Sequence, residues 1–139
     1  MNTEANYLLD TCAMIFIGTN HTLRGVSENA LNYATRAGRV WLSAISALEI
    51  GLLTAKGRLR LSVSPLNFFE GIQQTGGYRL SDLAPRILVN ASYLPDFAHN
   101  DPADRIIIAT AREYDLTIVT RDEAILRYGQ SGYVKTLAC

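Results

Sequence analysis

The 139-residue sequence predicts an α/β fold: a central, mostly parallel sheet of four to five strands with helices on both faces. Three observations predict it. Short apolar segments that end in a polar residue alternate with longer segments of helical period, the pattern of a parallel sheet covered on both sides. Hydrophobic residues make up 48% of the chain, enough to fill one core without disulfides. No internal repeat, low-complexity tract or Pro/Gly/Ser-rich linker divides the sequence, so residues 1–139 read as a single domain.

Taken in order, Tyr7 to Leu9 is a short apolar strand ending at Asp10, and Val40 to Leu42 is a second, ending at Ser43. Leu116 to Thr120, with β-branched Thr117, Ile118 and Val119, is the clearest strand. Tyr78 to Leu80 and Val134 to Leu137 are weaker ones. Helical patterns run from Ser27 to Ala37, from Ser46 to Lys56 before Gly57, and from Pro65 to Gln74 before Gly76 and Gly77. Others run from Ala84 to Tyr93, from Pro102 to Tyr114, and from Asp122 to about Tyr128 before Gly129.

Composition narrows the function classes. Formal net charge is zero, which argues against binding of nucleic acid by bulk positive potential. Of 13 basic residues only Lys56 and Lys135 are lysines; the arginines are suited to bidentate phosphate contacts but are also common on ordinary surfaces. Two cysteines, Cys12 and Cys139, give neither a disulfide framework nor a paired metal spacing, and read as free thiols. No apolar run approaches the roughly 20 residues of a membrane span, and Met1 to Leu9 lacks the features of a signal peptide. A cytoplasmic protein is expected.

In parallel sheets the ligand site lies beyond the carboxyl ends of the strands. Asp10 follows the first strand, and Asp122 follows Leu116–Thr120 at the same edge. Glu49 and Asp104 lie near the starts of helices that begin at that rim. Each acid also has a structural reading. Ser46-Ala-Leu-Glu49 matches a capping box, Asp101 is placed to cap the helix that opens with Pro102, and Thr120 with Glu123 matches another box beside a solvated Asp122.

Helical spacing weighs against capping alone. Glu49 is followed by Leu52 and Leu53, and Asp104 by Ile107 and Ile108, so both carboxylates are expected above core-facing positions. Clustered carboxylates without basic partners do not all stay ionised unless a cation neutralises them. Oxygen donors point to magnesium or manganese rather than zinc. Arg105 and Arg121 are either local partners of these acids or contacts for substrate phosphates. Nucleophilic catalysis is not indicated: Cys12 reads as a buried small hydrophobe, His99 as a rim residue and His21 as surface loop. A haloacid-type phosphatase would need a second aspartate where Cys12 stands. A receiver domain would need paired acids at the first strand.

Four stretches together resemble the PIN-domain ribonucleases, most closely the VapC toxins of VapBC toxin-antitoxin pairs. They are Leu-Leu-Asp10-Thr-Cys, Ser-Ala-Ile-Ser-Ala-Leu-Glu49-Ile, His99-Asn-Asp-Pro-Ala-Asp104-Arg-Ile-Ile-Ile-Ala-Thr-Ala, and Ile-Val-Thr120-Arg-Asp122. The resemblance spans nearly the whole chain, and it is the order and spacing of the four that are specific. It implies a PIN-like domain whose metal ligands are Asp10, Glu49, Asp104 and Asp122, with Thr11 and Thr120 as supporting hydroxyls and Thr120 orienting Asp122 or a water. Asp101 is read as a cap first and an acid of the site second. The implied activity is hydrolysis of RNA, with tRNA or rRNA the implied substrate, by a Mg2+- or Mn2+-dependent toxin. Its implied partners are a cognate antitoxin and a second copy in a homodimer, with an apolar face at Leu48, Leu52 and Leu53. The rival reading is a PIN-fold binding module that docks a protein or RNA without cutting it.

Overall fold

The structure is a computed structural model that describes residues 4–21 and 25–139. Met1 to Thr3, part of the stretch read against a signal peptide, lie outside the described residues. Twelve elements follow in the order β1 (Tyr7–Leu9), α1 (Thr11–Gly18), α2 (Gly25–Arg36), β2 (Val40–Ser43), α3 (Ile45–Ala55), α4 (Pro65–Gly76), β3 (Arg79–Ser81), α5 (Pro85–Ser92), α6 (Pro102–Tyr114), β4 (Thr117–Thr120), α7 (Glu123–Gln130) and β5 (Lys135–Ala138). The strands form one sheet in the order β3-β2-β1-β4-β5, and every pairing is parallel. All five expected strands are therefore present, each shifted by no more than a residue or so at its ends.

Strand β1 lies in the middle. The chain leaves it toward β2 and β3 and later returns to β4 on its other side, so the carboxyl ends of β1 and β4 flank the point where strand order reverses. Successive strand residues feed opposite faces. Leu8 and Ile118 enter a core with Ile87, Ile107 and Ile108. Tyr7, Leu9, Val40, Leu42 and Val119 enter the other, with Met14, Leu31, Ile50 and Phe69. Because both faces are covered, β1 is buried throughout and shows no polar alternation. Each such fully buried aliphatic side chain contributes about 1.5–3 kcal/mol.

Two local readings are corrected. Helix α1, Thr11–Gly18, is absent from the sequence reading. Its sequence TCAMIFIG is apolar almost all round, so it carries no helical period to detect. On α3, Leu52 is 45% exposed and Leu48 54% exposed, whereas Ile45, Ser46 and Ile50 face inward. The stripe beneath Glu49 is thus not the core-facing one. α3 is apolar on several sides and bridges both cores, with Ile45 in one and Ile50 in the other, so spacing alone had no means of choosing the buried side. Among the described residues no helix is long and apolar enough to cross a membrane.

Candidate metal centre

Asp10 is the first residue beyond β1 and the N-cap of α1. Its backbone N–H still pairs with the Val119 carbonyl at 3.1 Å, which holds it at the seam between β1 and β4. One carboxylate oxygen accepts from the Ala13 N–H at 2.8 Å, and the other accepts from the Thr120 hydroxyl. Thr120, at the end of β4 and fully buried, accepts in turn from the Asp122 N–H at 2.9 Å. The Thr120 hydroxyl thus serves the Asp10 carboxylate rather than that of Asp122. Asp122 is itself the N-cap of α7, with its carboxylate accepting from Ile125 N–H at 2.9 Å, so it is neither a solvated neighbour nor flanked by a Thr120–Glu123 box.

A second group of acids comes from α3 and α6. Helix α3 starts two residues earlier than the Ser46 capping box requires, with Ala44 at the cap and no side-chain cap bond. Ser46 instead points inward, its hydroxyl 2.9 Å from that of Thr11. Thr11 donates to a Glu49 carboxylate oxygen. One hydroxyl pair therefore ties the first turn of α1 to the acid of α3. Asp101 caps α6 as read, accepting from Ala103 N–H at 2.9 Å and Asp104 N–H at 3.2 Å. Glu49, Asp101 and Asp104 each present a carboxylate oxygen, all within 4.8 Å of one another. Asp101 is therefore both a cap and a neighbour of the acids.

The electrostatics are those of crowded like charges. Burial pushes the Asp10 carboxyl up, against the hydrogen bonds from Thr120 and Ala13, and Asp122 pushes it further. Glu49 is raised by burial and by Asp101 and Asp10, with the Thr11 bond opposing. Asp104 is pushed up to about 7 by burial and then by Asp101, Asp122, Glu49 and Asp10. Among the described residues no lysine or arginine forms an ion pair with any of these acids.

Neither neighbouring arginine neutralises the group. Arg105 donates to the carbonyls of Ala91 at 2.7 Å, Phe97 at 2.9 Å and His99 at 2.7 Å, and so braces the segment that leads to Asp101. Arg121 lies over the Phe16 ring, 3.8 Å from its centroid. Cys12 corrects another reading, because it is exposed rather than buried. Its thiol is pushed up to about 11 by desolvation and by Asp10, Glu49, Asp104 and Asp122, so it stays protonated. The donor set is then all oxygen, uncompensated and repulsive, which fits a hard divalent cation such as magnesium or manganese. A cavity of about 700 Å³, lined in part by Arg112, Thr117 and Lys135, opens at the opposite edge of the sheet and contains none of these acids.

The family model for the PIN domain matches residues 7–130. Ribonuclease VapC22 of Mycobacterium tuberculosis (strain ATCC 25618 / H37Rv) is 30% identical over 89 residues, covering 64% of this chain and 67% of that protein. Among solved structures, VapBC2 from Rickettsia felis bound to a DNA fragment from its promoter superposes with a TM-score of 0.70 at 14% identity, over 96% of this chain and 98% of that one. DNA-bound VapBC from Salmonella typhimurium gives 0.68 at 17% identity, over 96% and 98%. At those identities the structures speak for the fold.

Proposed function

The chain belongs to the PIN-domain family, and we propose that it is a magnesium- or manganese-dependent ribonuclease, the toxin of a toxin-antitoxin pair. One observation carries the metal-dependent nuclease reading: Asp10, Glu49, Asp101, Asp104 and Asp122 crowd together electrostatically at one sheet edge without a basic partner among the described residues. The likeness to a ribonuclease toxin of the same family supports RNA as the substrate. Neighbours of the same fold solved as VapBC assemblies support an antitoxin partner. The reading takes residues 1–139 as one domain of a cytoplasmic homodimer acting on tRNA or rRNA.

Asp10, Glu49, Asp104 and Asp122 would hold the ion, with Asp101 beside them. When bound, the ion supplies charge stabilisation for the phosphate and lowers the pKa of water. The chain's own groups prepare for it. Each Asp10 oxygen accepts one hydrogen bond and keeps further acceptor capacity for a cation. Thr120 and Thr11 are positioning residues that fix the carboxylates of Asp10 and Glu49 by donating to them. Since water rather than the RNA 2′-hydroxyl is the nucleophile, the products carry 5′-phosphate and 3′-hydroxyl ends.

The test is cleavage of RNA by purified protein with Mg2+ or Mn2+, compared with Asp10→Asn and with a chelator. Loss of cleavage in both controls is expected. Cleavage that survives the chelator, or an Asp10→Asn protein as active as wild type, would sink the metal mechanism. An intact wild-type protein that binds RNA and never cuts it would favour the binding-module reading.

A further inference from the structure

A polyanion laid across this rim meets a group of carboxylates that already repel one another. Even with a divalent ion bound, the flanking phosphates need fixed positive charge near the edge of the site. Of the two arginines that directly follow site acids or their threonine in sequence, Arg105 is spent on three backbone carbonyls. Arg121 is not. It stands between Thr120 and Asp122, is exposed, and pairs with no side-chain carboxylate among the described residues.

An aromatic face holds Arg121. Its guanidinium sits 3.8 Å from the centroid of Phe16, on α1, the helix that Asp10 caps. Phe16 is also stacked on His21, with centroids 4.6 Å apart and planes 18° apart. Two stacked groups need one ring face each, so His21 backs the ring that carries Arg121. The Arg121 Nε–H donates to a main-chain oxygen of Cys139 at 3.2 Å, and the guanidinium also hydrogen-bonds the Cys139 thiol. Neither the ring nor the thiol, whose pKa is raised, carries a charge that cancels that of the guanidinium. A cation–π contact fixes the plane of a guanidinium and leaves it free to take up a phosphate oxygen. The side chain is thereby tied both to the β4–α7 turn that carries Asp122 and to the helix that Asp10 starts.

On the ribonuclease reading above, we infer that Arg121 is a substrate-binding residue: braced on Phe16 at the edge of the acidic rim, it holds an RNA backbone phosphate adjoining the one that is cut. The ligand is the phosphodiester backbone, so the contact serves affinity and alignment without reading a base.

The experiment uses a labelled single-stranded oligoribonucleotide with Mg2+ and the Asp104→Asn protein, expected to bind without cutting. Arg121→Gln, Arg121→Lys and Phe16→Leu are added to that background, and affinity is measured over a range of salt. Arg121→Gln should weaken binding about tenfold, as expected for losing a charge-assisted hydrogen bond. It should also reduce the slope of log affinity against log salt by about 0.7, the value for one phosphate contact on a single strand. Arg121→Lys and Phe16→Leu keep the charge and should keep the slope while losing part of the affinity. Thermal melts accompany each variant, because a purely structural role for Arg121 would lower the melting point and leave the slope alone. An Arg121→Gln protein with wild-type affinity and slope overturns the inference; if that variant does not fold, wild-type affinity in both Arg121→Lys and Phe16→Leu does so. Wild-type protein that neither binds nor cuts the oligoribonucleotide with Mg2+ overturns the ribonuclease reading with it.

Discussion

Asp104 shows how a single side chain can work against the fold that carries it. Its carboxyl, pushed up to about 7, retains in the folded state a proton that an unfolded chain, with the ordinary value of 3.8, would already have released. The folded state therefore binds more protons between those two values, and stability falls as pH rises through that window. In metal-free protein Asp104→Asn should raise the melting temperature at pH 8, and the gain should vanish near pH 4, while cleavage is lost. A melting point below wild type at pH 8 in chelator would contradict the crowding argument. Asp101 separates differently. Asp101→Asn keeps the cap and should keep the melting point, but should weaken Mn2+ binding measured by calorimetry. Asp101→Ala should also cost about 1 kcal/mol of stability from the lost cap. Unchanged Mn2+ affinity in Asp101→Asn would make that residue a cap alone. The acids themselves were legible in the sequence because strand ends and helix starts locate them. Ser46 was not, since Ser-x-x-Glu reads as a capping box unless one knows that Thr11 lies across from it.

Helices α1 and α3 explain where reading by period fails. A helix apolar on one side announces that side; α6 does so, and its Ile107 and Ile108 are buried as expected. A helix apolar all round announces nothing, so α1 went unseen and α3 was turned the wrong way. The orientation of α3 has a direct check by urea unfolding. Ile50→Ala, at a fully buried position, should cost about 2–5 kcal/mol. Leu52→Ala, at a position 45% exposed, should stay within about 0.5 kcal/mol. The reverse order would mean that the Leu48–Leu52 side packs inward. That exposed side remains the apolar surface on α3 to which the homodimer proposal can be applied.

For the molecule as a whole, the alternation of strands and helices was enough to infer a parallel sheet, but the order of its strands was not. Nothing local in β1 or β4 states that the two are neighbours; that follows from the crossover after α6, which lays β4 beside β1. Filling the acidic site should couple to the stability of the entire fold. Mn2+ at about 100 times its dissociation constant should stabilise the protein by about 2.7 kcal/mol, read as a higher urea midpoint. Asp10→Asn, which removes a charge at the seam, should show less of this gain, and an equal gain would place the ion elsewhere.

The hydrogen bond from Thr120 to Asp10 spans 110 residues of sequence. A ribosome synthesising this chain releases Asp10 and Glu49 early, yet until β4 has emerged neither Thr120 nor Asp122 exists to complete the arrangement. Long-range parallel pairing is also among the slower steps of folding. The growing chain is therefore without a finished centre until the segment that carries Thr120 and Asp122 has been made.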